Sequence, residues 1–136
     1  MNSGEVFNGI NYKIIGAMPE NISGVEDNPG NVRDGYCFFA VNGEKYNGED
    51  FAVAAAENGA GIVVSEKPLN LTCCNVIVGN IRECMGAVCK NFYLGENPKI
   101  KITGVVGTNG KTSVCHILYK IFSYAGKKSA YLGTLG

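Results

Sequence analysis

The chain has 136 residues, of which 46% are hydrophobic and 19 are glycine. This length and composition predict one compact domain, or one domain and part of a second, and exclude a disordered chain. Twelve basic and twelve acidic side chains cancel, which excludes the broad positive surface of a non-specific nucleic-acid-binding protein but not a small anionic ligand.

The first part of the chain predicts short strands separated by turns. The apolar stretches 12–15 and 22–25 are interpreted as short strands or sheet edges. Residues 36–41, Tyr-Cys-Phe-Phe-Ala-Val, predict a further strand because aromatic and β-branched side chains are common in strands. Gly35 before this strand and Asn42-Gly43 after it are typical turn residues, which set its limits.

The middle of the chain alternates between predicted helices and predicted buried strands. Residues 48–58 predict a helix that ends at Gly59, and the runs 61–65 and 75–78 predict two strands. A second helix is predicted to begin at Asn80. Its apolar residues recur at the spacing of one helix face: Ile81, Met85, Val88 and Phe92. The alternation predicts an α/β fold, with helices packed on the faces of a parallel or mixed sheet.

A domain boundary is predicted at Pro98, which divides the chain into residues 1–98 and 99–136. In the second part, the run 100–106 predicts a strand that leads into a glycine-rich loop. A helix is predicted after the loop, and residues 130–132 predict a last strand. One strand–helix–strand unit cannot cover both faces of a sheet, so the second domain is predicted to be the beginning of a larger one.

The cysteines and the N-terminus predict a cytoplasmic protein without a structural metal site. The six cysteines include no CxxC pair and no zinc-like spacing with His116, the one histidine. Adjacent Cys73 and Cys74 allow a redox pair, but reduced cysteines packed as small hydrophobic side chains are the favoured interpretation. The first residues lack the basic start and apolar stretch of a signal peptide, and no apolar run is long enough to span a bilayer.

The glycine-rich loop has the sequence of a phosphate-binding loop. Residues 104–113 read Gly-Val-Val-Gly-Thr-Asn-Gly-Lys-Thr-Ser and stand between a β-branched run and a helical run. Glycines let backbone N–H groups turn toward a phosphate, and the N-terminus of the following helix adds a favourable dipole. The candidate contacts of the phosphates are Gly107, Thr108, Asn109, Gly110, Lys111, Thr112 and Ser113.

Three side chains at the end of this loop have predicted roles. Lys111 is the candidate catalytic residue because it can reach the β- and γ-phosphates, and the Thr112 hydroxyl is the candidate Mg²⁺ ligand. Ser113 is either a second hydroxyl donor or a solvent-facing helix residue. The strict phosphate-loop pattern requires glycine where Val105 stands. A glycine turn followed by an exposed lysine therefore remains the alternative.

Residues 107–112, Gly-Thr-Asn-Gly-Lys-Thr, resemble the ATP-binding motif of the Mur ligases, the ATP-dependent amide ligases of peptidoglycan synthesis. Segments 32–43, 47–66 and 131–136 are similar to the family in the same order, so the resemblance covers nearly the whole chain. The motif looks most like that of the enzymes that add the third amino acid to UDP-N-acetylmuramoyl-L-Ala-D-Glu. The resemblance implies ATP and Mg²⁺ as cofactors and an acyl phosphate as intermediate.

The same resemblance implies that residues 1–98 bind the uridine-nucleotide end of the substrate. An Asp-Ser-Arg-like triplet of the family corresponds here to Asp-Asn-Pro-Gly at 27–30, in which proline has neither an N–H donor nor a hydroxyl. Lys45 is either a partner of the diphosphate or a solvated loop lysine. The candidate contacts of the uridine nucleotide are Asn28, Pro29, Glu44, Lys45 and Tyr46.

The resemblance also implies partners and further domains. The partners are UDP-N-acetylmuramoyl-dipeptide and an amino acid, with no nucleic acid and no membrane insertion. Because the family's remaining central-domain and C-terminal residues are absent from the sequence, we expect the chain alone to be inactive in ligation. Two alternatives remain open: another ligase of the superfamily, of the cyanophycin or folylpolyglutamate synthetase type, and a non-catalytic uridine-nucleotide-binding remnant.

Overall fold

The computed structural model describes residues 1–43, 46–95 and 101–133. The chain separates into two compact units, Met1–Lys99 and Ile100–Gly136. The predicted boundary at Pro98 lies outside the described residues, so the assignment of domains stays a prediction. Within the described ranges, no helix combines the length and the apolar character needed to cross a membrane.

The described residues of the first unit form a five-stranded mixed sheet with helices, which confirms the predicted α/β class for this part of the chain. The strand order is β1-β5-β4-β3-β2, with β2 to β5 parallel and β1 antiparallel to β5. The elements of this unit are α1 (Ser3–Val6), β1 (Tyr12–Ile15), β2 (Gly24–Glu26), β3 (Tyr36–Phe39), α2 (Ala52–Glu57), β4 (Ala60–Ser65), β5 (Cys74–Val78) and α3 (Ile81–Leu94).

The core of this unit lies on both faces of the sheet. Val63 and Val64 of β4 are both fully buried, and successive strand residues point to opposite faces. Helix α2 packs against β4, and its residues Ala52 and Ala55 are buried. Helix α3 buries Val88 and, as predicted, turns one apolar face toward the core. The parallel strands are therefore covered on both sides, as is usual for strands of this type.

A buried polar network fixes the segment between β4 and β5. The Asn75 side chain is 1% exposed, and its Nδ2 donates to Val63 O at 3.0 Å and to Ser65 Oγ at 2.8 Å. Its Oδ1 accepts from the N–H of Leu69 at 2.9 Å. Because both the oxygen and the nitrogen of the Asn75 amide are hydrogen-bonded, burying this side chain leaves no polar atom unpaired.

Two glycines are required where the end of α2 meets the turn before β3. Gly59 follows α2 with a φ of +102°, which confirms the predicted helix end. Its N–H donates to Ala56 O at 3.1 Å, and its carbonyl accepts from the N–H of Gly35 at 2.9 Å. A Cβ at Gly59 would lie 3.0 Å from the Cα of Asp34, so the site lacks both the space and the backbone conformation for a side chain.

Helix α1 is an element that the sequence analysis did not predict. It has four residues, and the Asn2 side chain caps it by accepting from the N–H of Gly4 at 2.9 Å. Val6 and Phe7, at its end, are almost fully buried, and α1 packs against α3. One helical turn is too short to give a periodic apolar pattern, which is why it escaped the prediction.

The second unit differs from its prediction. Helix α4 (Lys111–Tyr124) forms where it was predicted, directly after the glycine-rich loop. The predicted strands at 100–106 and 130–132 are wrong within the described residues, because 101–106 and 130–132 have no strand pairing. Ile102 and Leu132 are 84% and 93% exposed. A β-branched run becomes a strand only when another strand accepts its backbone hydrogen bonds. The unit therefore contains the loop and the helix of the predicted strand–loop–helix–strand arrangement, but not its strands.

Burial raises the pKa of two core thiols. Cys37 and Cys84 belong to the hydrophobic core. Burial, with a smaller contribution from Cys89, raises the pKa of Cys84 from its ordinary 9.0 to about 11. Burial likewise raises the pKa of Cys37. The folded state thus holds these thiols protonated at pH values at which the unfolded chain begins to lose the protons.

The free energy of unfolding is therefore expected to decrease as the pH rises from about 9 to about 11. A raised folded-state pKa gives stability that is complete below the unfolded-state pKa and lost as the pH approaches the folded-state value. For Cys84 the loss is about 2 kcal/mol. Urea unfolding under reducing conditions at both ends of this pH window measures it. Cys84→Ala should lose less stability across the window than the unmodified chain, and an equal loss would contradict the assignment.

Candidate functional site

The predicted uridine-nucleotide residues lie in loops that follow two neighbouring parallel strands. Asn28 and Pro29 come just after β2, and Tyr46 lies in the segment after β3. In open sheets of this kind, ligands bind outside the carboxyl ends of the parallel strands. Tyr46 follows the carboxyl end of β3, whereas the turn after β2 folds back toward the amino end of β4, where Pro29 O accepts from Asn58 Nδ2 at 2.9 Å, directly after α2. The structure therefore does not bring the two segments together at one edge. Glu44 and Lys45, the remaining predicted contacts, lie outside the described residues.

The loop after β2 is held by its own side chains. Glu26 Oε1 accepts from the N–H groups of Asp27 at 3.0 Å and Asn28 at 3.1 Å. Asn28 caps a short 3₁₀ turn, Pro29–Asn31, by accepting from the N–H of Gly30 at 3.0 Å. Because its Oδ1 is engaged in this way, Asn28 has its amide Nδ2 left as a donor for a ligand.

The turn after β3 exposes an aromatic side chain. Tyr46 is 63% exposed, and its ring meets the edge of Phe51 at a centroid distance of 6.0 Å. The carbonyl of Tyr46 accepts from the N–H of Gly43 at 3.0 Å. The Asn42 side chain accepts from the N–H of Gly48 at 2.8 Å. We call Asn42, Gly43, Tyr46 and Gly48 the Asn42 turn. It presents Tyr46 to solvent on a hydrogen-bonded backbone.

Arg82, at the start of α3, also contacts this turn. Its Nη2 donates to Asn42 O at 2.9 Å. Sequence reasoning gave Arg82 no role. No local pattern could have found the contact, because it joins residues 40 positions apart.

A shallow cleft of about 410 Å³ lies along the connection from β2 to β3. It is lined by Glu26, Gly30, Asn31, Val32, Arg33 and Tyr36. The Tyr36 ring lies over Gly24, where an added Cβ would come within 2.6 Å of it. The predicted contacts Asn28 and Pro29 are not among the cleft residues, although they are adjacent to them in sequence. Arg33 and Tyr36 are thus nearby polar groups that sequence reasoning did not select.

The phosphate-loop candidates lie together at the N-terminus of α4. Gly110 is the N-cap residue and has a φ of +76°, a conformation that glycine adopts without strain. Lys111 folds back over the loop, where its Nζ donates to Gly107 O at 2.5 Å and to Thr108 O at 3.2 Å. The ammonium group therefore stands at the carbonyls of the loop, on exposed residues that a ligand can reach.

The two long helices have contrasting N-termini. In α3, the Asn80 side chain accepts from the N–H groups of Arg82 and Glu83, and Glu66 Oε1 accepts from that of Ile81 at 3.0 Å. In α4, no side chain caps the first turn within the described residues. The first-turn N–H groups of α4 are therefore available to an external acceptor, whereas those of α3 are already used.

The donor set at α4 fits a phosphate. Lys111 supplies a cation, the uncapped helix terminus supplies N–H donors and a positive dipole end, and two hydroxyls follow in the first turn. Thr112 is half-buried and Ser113 is exposed. A hydroxyl directly after the lysine is the group that a phosphate-bound Mg²⁺ uses in loops of this type.

Comparisons of the chain with known proteins agree on one family of relatives. The description "Mur ligase family, catalytic domain" matches residues 22–108. The UDP-N-acetylmuramoyl-L-alanyl-D-glutamate--2,6-diaminopimelate ligases of Aquifex aeolicus and Halalkalibacterium halodurans are 32% and 36% identical to the chain over 124 residues. Each match covers 91% of this chain and 26% of the relative. The UDP-N-acetylmuramyl-tripeptide synthetase of Borreliella afzelii is 33% identical, with coverage of 90% and 25%.

The chain thus spans about a quarter of the length of these relatives. Among solved structures, MurF from Acinetobacter baumannii superposes with a TM-score of 0.77 at 19% identity. That match covers 90% of this chain and 27% of MurF. At this level of identity the likeness concerns the fold alone.

Proposed function

This chain belongs to the Mur ligase family, and on that basis we propose that it is the nucleotide-binding part of a ligase that adds the third amino acid to UDP-N-acetylmuramoyl-L-Ala-D-Glu. The first unit binds the uridine-nucleotide end of that substrate, and the loop before α4 binds the phosphates of ATP. The observation that carries the proposal is the Lys111 ammonium above a helix N-terminus that no described side chain caps. The names of the relatives support the choice of substrate.

The residues of the phosphate loop have distinct tasks in this proposal. Bound with Mg²⁺, ATP would supply the phosphoryl group that activates the substrate carboxylate before the amino group of the incoming amino acid attacks. Lys111 leaves the loop carbonyls and compensates negative charge on the phosphates. The first-turn N–H groups of α4 orient them, Thr112 holds the metal ion and Ser113 adds a hydroxyl donor. Gly107, Thr108, Asn109 and Gly110 shape the backbone around the phosphates.

On the uridine side, the proposal uses the turn after β2 and the Asn42 turn after β3. The free amide donor of Asn28 and the exposed ring of Tyr46 suit a nucleobase, which offers polar edges and a flat face. Pro29 keeps the loop after β2 in its turn. Glu44 and Lys45 stay candidates from the resemblance, with Lys45 assigned to the diphosphate.

A non-catalytic uridine-nucleotide-binding protein is the second candidate. Pro29, at the start of a 3₁₀ turn, offers neither N–H nor hydroxyl where the family resemblance expects polar contacts. That observation favours altered nucleotide recognition without excluding the phosphate loop. The two functions differ in whether ATP binds.

Titration calorimetry tests the proposal on the 136-residue chain. We expect Mg-ATP and UDP-N-acetylmuramoyl-dipeptide to bind at two independent sites, with UDP displacing the second ligand and not the first. We also expect no phosphate release when the amino acid is added, since the relatives are about four times longer. Binding of the uridine nucleotide without ATP would select the non-catalytic candidate. Failure of both ligands to bind would overturn the proposal.

A further inference from the structure

The Asn42 turn is held by bonds inside it and by one long-range contact. Inside the turn, the N–H of Gly43 bonds to Tyr46 O and the N–H of Gly48 bonds to the Asn42 side chain. From outside, the Arg82 guanidinium donates to Asn42 O at 2.9 Å. Asn42 therefore accepts both kinds of bond: its side-chain oxygen accepts the internal bond from Gly48, and its main-chain oxygen accepts the long-range bond from Arg82.

Arg82 is itself fixed where its helix begins. Its N–H donates to the Asn80 side chain at 3.1 Å, and the preceding N–H, of Ile81, donates to Glu66 at 3.0 Å. Glu66 directly follows β4, and Asn80 closely follows β5. The helix start is thus tied to the ends of two central strands. Through its hydrogen bond to Asn42 O, Arg82 links this fixed helix start to the Asn42 turn, which lies after β3.

We propose that Arg82 is a positioning residue for the uridine-nucleotide site. It holds the Asn42 turn in the conformation that presents Tyr46 to the ligand. This role rests on the proposed function, in which Tyr46 contacts the uridine nucleotide. The helix start is not an alternative anion site, because Asn80 and Glu66 already accept from its first N–H groups.

The expected effect follows from the cost of ordering the turn. A segment that is already in its bound conformation loses less conformational freedom on binding than a mobile one. Without Arg82, the ligand itself must order the turn. The loss of one hydrogen bond from a charged donor corresponds to roughly tenfold weaker binding. Folding should change little, because the contact is exposed and the core is untouched.

Calorimetric titration of UDP-N-acetylmuramoyl-dipeptide into the 136-residue chain tests this role. Arg82→Met should weaken binding roughly tenfold, and Arg82→Lys should recover part of the loss because lysine can still donate to the carbonyl. The control is Lys90→Met, which removes an exposed cation from the same helix and should change nothing. Mg-ATP affinity should be unchanged in all three variants.

A double-mutant cycle and hydrogen exchange separate positioning from a merely structural role. Arg82→Met and Asn42→Ala loosen the same turn, so their combined effect on affinity should be smaller than the product of the single effects. Arg82→Met should also speed amide exchange at Gly43 and Gly48 while leaving the buried strands protected. These exchange rates need no ligand.

The outcomes are distinct. If the unmodified chain does not bind the uridine nucleotide, the proposed function fails and the role of Arg82 fails with it. If the unmodified chain binds but Arg82→Met binds equally well, only the positioning role is overturned. Multiplicative effects in the double-mutant cycle, or unchanged exchange at Gly43 and Gly48, would also overturn it.

Discussion

Gly48→Ala is expected to destabilise the first unit by about 3 kcal/mol or more, a large part of the roughly 5–15 kcal/mol that stabilises a typical domain. Gly48 is buried, and a Cβ there would lie 2.4 Å from Val41 O and 2.5 Å from Ala40 C. These atoms are backbone at the end of β3, so they cannot rotate away as a side chain would. The added methyl must displace either the strand end or the turn that leads into α2.

Urea unfolding followed by circular dichroism measures this effect. Gly86→Ala is the matched control, because Gly86 is exposed within α3 and an added Cβ would meet no atom within 4 Å. Alanine there should stabilise the chain by about 0.5–1 kcal/mol, since glycine is a poor helix former. Equal unfolding midpoints for Gly48→Ala and the unmodified chain would contradict the close packing at Gly48.

Lys111→Ala is expected to weaken Mg-ATP binding by about 30- to 150-fold. Its ammonium is the charged group at the phosphate loop, and a hydrogen bond between charged partners contributes about 2–3 kcal/mol. The substitution leaves a good helix former at the first residue of α4, so the fold should be retained. Calorimetry with Mg-ATP measures the change. Lys120→Ala, which removes an exposed cation from the same helix, is the control.

Because ATP and the uridine nucleotide are proposed to bind at separate sites, the affinity for the uridine nucleotide provides a second test of this prediction. The affinity for UDP-N-acetylmuramoyl-dipeptide should stay the same in Lys111→Ala, because the proposed uridine contacts lie in the first unit. Unchanged ATP affinity would show that the loop is the alternative glycine turn with an exposed lysine. A parallel loss of both affinities would show that one site serves both ligands.

The sequence was informative wherever the structure depends on neighbouring residues. The spacing of Ile81 and Val88 predicted the buried face of α3, and Gly59 marked the end of α2 because only glycine suits its backbone conformation. Strands β1, β4 and β5 were also located within a residue or so. In each case the sequence signal is local: a regular spacing of apolar residues, or a glycine at a position that needs a positive φ angle.

Features that depend on distant partners could not be predicted in this way. The run 101–106 has strand propensity, but propensity supplies no partner for its backbone, and no strand forms there. Helix α1 is stabilised by its contact with α3 rather than by a repeating pattern. The candidate phosphate loop could be predicted because its residues are contiguous, and its role stays a prediction. The Arg82–Asn42 contact was missed because it exists only after the sheet has assembled.

The antiparallel pairing of β1 has a consequence for the order in which the protein can fold during synthesis. Tyr12 pairs with Val78, so β1, which is synthesised before the other described strands of this sheet, cannot pair until β5 has been synthesised. Strand β5 lies between β1 and β4 in the sheet. Strands β2, β3 and β4, in contrast, each pair with a strand that is their neighbour in sequence. Until β5 emerges, Ile14 and Ile15 lie on a segment without its partner. We expect this long-range pairing to slow folding and to leave the nascent chain open to aggregation until β5 has emerged.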